Sequence, residues 1–247
     1  MKRLYGWKPQ LPDHRDFQFD GVTTGLPPRA DLEAGFQPVY DQGQRGSCTG
    51  NGTVGALTFA IKKAGLPDVQ LSRRFAYINA LLAEGSFPQD AGAAIRDVIK
   101  LAAKKGICLE SLFPYNARRF FTKPPTRCYT EAVQNIIEGY RAVPQTIDQI
   151  KACLAGDNPI VFGISVYESF ESQAVANNGI VPMPNKSEKN LGGHCIVLAG
   201  YDDATEMCKV RNSWGPGWGD KGYCYLPYAY VTNKNLASDF WTIDACK

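Results

Sequence analysis

The sequence predicts an α+β protein of two lobes, one mainly helical and one built on an antiparallel sheet. The first half carries apolar faces at helical spacing, bounded by caps and glycines. The second half carries short apolar or β-branched runs separated by turn residues. The chain has 247 residues, 44% of them hydrophobic and 21% charged, enough for one large domain or two lobes sharing a core.

Residues 1–38 hold Pro9, Pro12, Pro27, Pro28 and Pro38 with little periodicity, so they read as an extended strap lying on a body. From residue 47 to 63 the pattern changes, and Val54, Leu57, Phe59, Ile61 and Ala64 form a helical face that Gly65 can end. Gly50, Gly52 and Gly55 oppose that reading by about 1 kcal/mol each relative to alanine. They make sense where other backbone approaches the helix closely. Ser72 caps a second helix, with Phe75, Ile78 and Leu82 on one face. A third puts Ile95, Val98, Ile99 and Ala102 on one side before Gly106. After a Pro-rich, aromatic loop over 113–128, Thr146 and Gln149 predict a capping box ahead of Ile150 and Leu154. The runs NPIVFGISV, HCIVLAGYD, MCKVRNSW and GYCYLPY are the predicted strands, and no internal repeat or low-complexity tract interrupts them.

The net charge is only +3 and no basic arm or stripe is present, which argues against nucleic acid as a partner. The longest apolar runs fall far short of the roughly 20 residues a membrane-spanning helix needs. A soluble monomer without cofactor or metal is the expectation. The first residues lack the apolar stretch of a secretory signal, which fits a cytoplasmic protein or a secreted one whose signal has been removed. Eight cysteines are scattered with no C-x-x-C pair, which argues against structural zinc. Cys108 with Cys128, and Cys208 with Cys224, are spaced for local disulfides.

The chain has two histidines. His14 sits among Asp13, Arg15 and Asp16 in the strap, where a solvated imidazole is the simpler reading. His194 follows two glycines and opens an apolar strand, and Asn212 lies 18 residues on, beside Trp214. A lone histidine at a strand end is more often structural than catalytic. Its company changes that. An asparagine oxygen can accept the imidazole N–H and fix the tautomer, and an indole over that bond keeps water away. Cys48 stands at the predicted start of the first long helix. A histidine partner and a helix N-terminus together can lower a thiol from about 8.5 to roughly 3.5–7.5. Gln42, six residues earlier, can turn its amide toward the oxygen that the Cys48 N–H also faces, as a tetrahedral oxyanion requires. Alone, Gln42 would read as a surface polar residue.

At these residues a family resemblance enters. The segment QGQRGSCT resembles the nucleophile segment of the papain-like cysteine peptidases, GGHCIVLAGYD resembles their histidine strand, and VRNSWGPGWGDKGY resembles their asparagine block. The motifs occur in the family's order over roughly residues 26–228, in a style resembling its bacterial branch. The resemblance implies the papain fold, with a helical lobe over about 26–130, a β lobe over about 131–247, and a cleft between them. It implies a cysteine endopeptidase acting on peptides or proteins, with Cys48, His194 and Asn212 catalytic and Gln42 with the Cys48 N–H as oxyanion hole. Gly92, Gly193, Cys195 and Trp214 would bind substrate, although Cys195 reads equally well as a small buried residue. Arg45 stands where plant and lysosomal members carry a cysteine, and Thr49 where they carry an aromatic. Residues 1–25 precede the part that resembles a mature peptidase, and two readings stand: a short autoinhibitory propeptide-like segment, or an ordinary arm on the sheet lobe. An acyl transferase of the transglutaminase or transpeptidase type, and a non-catalytic binding protein on a peptidase scaffold, are the competing functions.

Overall fold

A computed structural model describes residues 3–245. Its centre is α1 (Cys48–Lys63), whose residues from Cys48 to Ile61 are buried on every side. A helix apolar or small all round must be enclosed, and this one lies between α2 (Arg73–Ala83) on one side and the sheet on the other. The glycines make that fit. A Cβ at Gly50 would lie 2.7 Å from the Arg73 carbonyl oxygen, and one at Gly52 would lie 3.0 Å from the Cys195 sulfur. The cost in helix propensity is offset by close packing on two faces.

Ser72 accepts from the Phe75 N–H at 3.0 Å and caps α2, as the sequence predicts. The apolar face of α3 (Ile95–Lys105) buries Ile95, Val98, Ile99 and Ala102 before Gly106, at φ 72°, ends it. The loop expected over 113–128 instead winds into α4 (Thr126–Ala132) at its end. Thr146 caps α5 (Ile147–Ala155) by accepting from the Gln149 N–H, but the capping box is only half made. The Gln149 side chain turns outward and exchanges hydrogen bonds with the backbone of Gly21 in the N-terminal strap.

The sheet runs in the order β2 (Ile137–Ala142), β7 (Ala237–Ala245), β3 (Ile160–Tyr167), β4 (Asn190–Asp202), β5 (Met207–Arg211), β6 (Tyr223–Pro227), and every neighbouring pair is antiparallel. The short strand β1 (Arg29–Asp31) adds to β4 off this path. Strands β5 and β6 lie within the runs that the sequence predicts, β3 extends one residue past its run, and β4 begins at Asn190, four residues ahead of the His194 predicted to open it. Strands β2 and β7 lie in segments that the alternation did not single out, since "EGYRA" is polar and β7 is buried on both faces for much of its length. Phe162 on β3 and Phe240 on β7 stack with centroids 4.9 Å apart.

All seven described cysteines are free and buried, and Cys246 lies outside the described residues. The expected Cys208–Cys224 link does not form because the β5–β6 register places Cys208 opposite Leu226 and Cys224 opposite Val210. Cys108 and Cys128 are neighbours as thiols, and burial, with the Cys128 thiol beside it, holds the Cys108 thiol well above its ordinary value. Phe162→Ala should lower the melting temperature by several degrees, because removing a fully buried phenylalanine costs about 3–5 kcal/mol; a thermal melt of the variant checks this.

Candidate active site

Three pieces of chain meet at the N-terminal end of α1. The first is the loop 40–47 that feeds the helix. The second is the start of β4, and the third is the turn that leaves β5 at Asn212. A short antiparallel ladder joins the first to the third: Gln42 N–H donates to the Ser213 carbonyl at 2.9 Å, Gly215 N–H donates to the Tyr40 carbonyl at 2.9 Å, and Asp41 faces Trp214. β4 brings its own backbone in from the side, with the Cys195 N–H turned toward the Cys48 sulfur.

Asn212 Oδ1 accepts from two donors, the Ser213 backbone N–H at 2.8 Å and His194 Nε2 at 2.8 Å. A backbone N–H can only donate, so the shared atom is the amide oxygen and His194 carries its proton on Nε2. Nδ1 is therefore the bare nitrogen. It is buried and has no hydrogen-bond partner. Trp214 lies nearly parallel over the imidazole, centroids 5.0 Å apart at 26°, and is itself held edge-on by Phe170 and Trp218. This is the shelter that the sequence predicts for the His194–Asn212 bond.

Gln42 is buried, and both ends of its amide are fixed. Ser213 Oγ donates to its Oε1 at 2.5 Å, and its Nε2 donates to the Arg45 carbonyl at 2.6 Å. One Nε2 hydrogen is left over. The loop between Gln42 and Cys48 has no disulfide to tie it down, since Arg45 occupies the position where one would start. Asp90 holds it instead. Its carboxylate accepts from the Gly46 N–H at 3.1 and 3.2 Å and from the Tyr77 hydroxyl at 2.6 Å, and Tyr77 in turn accepts from the Gly92 N–H. Tyr115 adds a second tie, bonding both Ser47 Oγ and the Gln42 carbonyl. Sequence reasoning missed Asp90, Tyr115 and Ser213; Asp90 lies in the QDAGAAI segment and Ser213 directly follows Asn212, but the roles depend on contacts distant in sequence.

The groove across these groups is filled by residues 3–10 of the same chain. Gly6 N–H turns toward the Cys48 sulfur. Trp7 N–H donates to the Gly193 carbonyl at 2.9 Å, Ala93 N–H donates to the Gly6 carbonyl at 2.8 Å, and Lys8 N–H donates to the Ala93 carbonyl at 3.1 Å. Tyr5 sets its ring edge-on to His194 and bonds Glu171, while the Arg3 guanidinium lies 3.8 Å over the Trp214 ring. Further along, Lys8 pairs with Glu84 and Arg96 pairs with Asp16. His14 and Arg15 are exposed, while Asp13 and Asp16 beside them are half-buried. Covered in this way, the two reactive groups are neutral: burial pushes the Cys48 thiol up to about 11 and the His194 imidazole down to about 4.

Of the other residues expected to bind substrate, Gly193 and Trp214 both touch the segment, and at Gly92, where φ is 73°, a Cβ would lie only 2.4 Å from the Gly6 carbonyl oxygen. Cys195 is buried with its sulfur against Gly52 of α1, so that only its backbone reaches the thiol. Among the described residues no cluster of His, Cys, Asp and Glu is arranged to hold a metal, and no helix is long and apolar enough to cross a membrane.

A family model described as papain family cysteine protease matches residues 26–240. The chain belongs to the papain family of cysteine proteases. It is 38% identical to xylellain, a cysteine protease from Xylella fastidiosa, whose structure superposes with a TM-score of 0.91 over 98% of this chain and 96% of that one. It is 42% identical over 212 residues to an uncharacterized peptidase C1-like protein of Acanthamoeba polyphaga mimivirus, covering 82% of this chain and 68% of that protein. Digestive procathepsin L 3 of Tenebrio molitor shares the fold at 20% identity, with a TM-score of 0.74 over 93% of this chain and 74% of that one. Cathepsin J of Mus musculus, 25% identical over 92% of this chain, is longer, and the chain spans 64% of it.

Two outcomes test this geometry. Ser213→Ala, which frees the Gln42 amide to rotate, should lower kcat about tenfold or more with little change in KM, as expected for a group that orients an oxyanion donor; steady-state kinetics separate the two constants. Alkylation of Cys48 in the full chain should be slow at pH 7 and climb as pH rises from about 9 toward 11. A raised thiol is protonated below its shifted value and ionises only above it. A mass-spectrometric rate profile against pH measures this.

Proposed function

We propose that this papain-family peptidase cleaves peptide bonds with Cys48 as nucleophile, His194 as acid and base, and Asn212 as the group that orients the imidazole. The observation that carries the reading is the fixed tautomer of His194. With Nε2–H held by Asn212 Oδ1, the bare Nδ1 is the atom free to take the thiol proton. The resulting thiolate attacks the substrate carbonyl carbon, and the C=O electron pair moves onto oxygen. Gln42 Nε2 and the Cys48 N–H stabilise that oxyanion. Imidazolium then gives its proton to the departing amine as the C–N bond breaks. Water, deprotonated by the same imidazole, releases the acyl group. Gly92, Gly193 and Trp214 line the substrate's path, with Cys195 contributing through its backbone.

Residues 26–247 form the peptidase domain in this reading, and residues 1–25 form a cover that holds it latent. The direction of the cover supports latency. A substrate must place its leaving amine beside His194 and its acyl side beyond Cys48, toward Ala93. The segment runs the other way, from Arg3 at Trp214 through Tyr5 at His194 to Trp7 at Ala93. Its Gly6 carbonyl is held by the Ala93 N–H, away from Gln42. The chain therefore occupies the cleft without presenting a scissile bond. The segment continues on both sides of Cys48, which supports a cleft open at both ends and an endopeptidase.

Labelling with an epoxysuccinyl inhibitor, located by mass spectrometry, tests the nucleophile: the adduct should fall on Cys48 alone, and Cys48→Ala should abolish turnover. Gly6→Ala in the full chain tests the cover. A Cβ there would lie 1.7 Å from the Gly46 carbonyl oxygen, so the segment cannot seat. The variant should label and turn over substrate at least tenfold faster than the wild type, by the loss of a bound competitor; equal rates would remove the cover from the reading.

A further inference from the structure

A column of alternating rings and guanidinium groups flanks the loop that feeds α1. The Arg73 guanidinium, at the start of α2, lies over two tyrosines, 4.4 Å from the centre of the Tyr40 ring and 4.2 Å from that of Tyr115. Tyr40 also meets the Arg211 guanidinium at 5.0 Å, and Arg211 lies 5.2 Å from the Phe36 ring. Arg211 directly precedes Asn212, and its Nη2 donates to the Pro38 carbonyl at 2.8 Å. The column thus links the strand end that carries Asn212, the loop that carries Gln42 and the first turn of α2. Stacking on rings fixes the plane of a guanidinium as well as its position. None of these residues belongs to the covering segment, so the column stays when the segment leaves.

A guanidinium can only donate hydrogen bonds, and it stays charged throughout. Arg73 Nη1 donates to Asn51 Oδ1 at 2.8 Å and to the Asp41 carbonyl at 3.4 Å. The first of these bonds fixes which end of the Asn51 amide faces α2. Its Nδ2 therefore turns to Ser47, donating to the carbonyl at 2.8 Å and to Oγ at 3.2 Å. The Ser47 and Tyr115 hydroxyls are 2.6 Å apart. Tyr115 has one hydroxyl hydrogen, and it is committed to the Gln42 carbonyl at 2.9 Å. The Ser47 hydroxyl must then donate to Tyr115. From Arg73 to Gln42 every hydrogen bond points the same way, and a run of that kind is strengthened by mutual polarisation.

We infer that Arg73 is a positioning residue of the peptidase reaction, one that sets the spacing between the two oxyanion donors. The inference rests on the peptidase reading above. Gln42 and Cys48 are six residues apart, and no disulfide spans the loop between them. The Ser47 carbonyl and the Cys48 N–H belong to one planar peptide, so a donor that holds the first orients the second. The relay that starts at Arg73 grips this peptide at one point and the Gln42 backbone at another. Without Arg73 the Asn51 amide is free to turn over. That would set its oxygen against the Ser47 carbonyl, two acceptors face to face, and the loop would shift to part them. The Cys48 side chain would stay where it is, because the enclosure of α1 holds it. The oxyanion hole would therefore widen while the nucleophile kept its place.

The test uses the full chain carrying Gly6→Ala and a panel of quenched fluorogenic peptides, with Arg73→Met, Tyr115→Phe and the two together. Methionine keeps a long stem between the rings and phenylalanine keeps its ring in the column, so each variant loses donors but little packing. Each single change should lower kcat about tenfold with KM within about twofold, since the donors act on the transition state rather than on bound substrate. The double variant should fall no further than the poorer single one, because the two residues are the ends of one relay. Alkylation of Cys48 by iodoacetamide, followed by mass spectrometry, should stay within about twofold in every variant, since displacement at a saturated carbon develops no oxyanion. An unchanged kcat in Arg73→Met, losses that multiply in the double variant, or alkylation that slows in step with kcat would each overturn the inference and leave the peptidase reading standing. Alkylation of Cys48 with no peptide cleaved, in the chain that keeps Arg73, would overturn both.

Discussion

The short ladder between residues 40–42 and 213–215 is the contact on which the rest of the site depends. It is a few backbone hydrogen bonds long, yet it joins the loop that feeds α1 to the turn that leaves β5. Ser213 sits at its centre and acts in three directions. Its carbonyl accepts from Gln42, its N–H fixes the Asn212 oxygen, and its hydroxyl fixes the Gln42 amide. The orientation of the Gln42 amide, the proposed oxyanion donor, and the tautomer of the imidazole are therefore set by one residue. Neighbouring groups locked by shared hydrogen bonds act as a unit, and removal of one member costs more than its own bond.

The nucleophile is held to the same standard by different means. α1 is immobilised by enclosure, because its glycines let α2 and the sheet approach it from opposite sides. The loop ahead of it is held by the Asp90 carboxylate and the Tyr115 hydroxyl. Through Tyr77, Asp90 also reaches Gly92, beside the Ala93 edge where the chain's own backbone now pairs. A covalent tie would fix one distance. A carboxylate that serves both the nucleophile loop and the peptide-binding edge keeps the two in register with one another.

In the proposed function, the covering segment is what keeps a site so arranged quiet. Its burial of the thiol and the imidazole leaves both neutral, and its backbone runs through the cleft in the direction opposite to that of the proposed substrate. Its side chains follow the groove's chemistry: a guanidinium over an indole, a phenol on a carboxylate, an indole on a buried aspartate, an ammonium on a glutamate. Donors of the segment meet acceptors of the body at nearly every step. The groove thus presents mainly acceptors to the segment that lies in it.

Much of the site was legible in the sequence because its chemistry is carried by short local motifs. Cys48 at a helix start, Gln42 six residues before it, two glycines before His194, and Asn212 beside Trp214 are each local patterns with a physical reason, and their order along the chain resembled one family. The fold class followed from periodicities of 3.6 and 2 that burial imposes on helices and strands. What the sequence left open depended on contacts between distant residues. Whether residues 3–10 lie in the cleft or on the sheet, and in which direction, was decided by hydrogen bonds to Ala93 and Gly193. Whether Gln149 closes a capping box or holds the strap was decided by Gly21. β7 was missed because a strand buried on both faces loses its alternation. Local chemistry determined which residues could react; tertiary register alone decided what surrounds them.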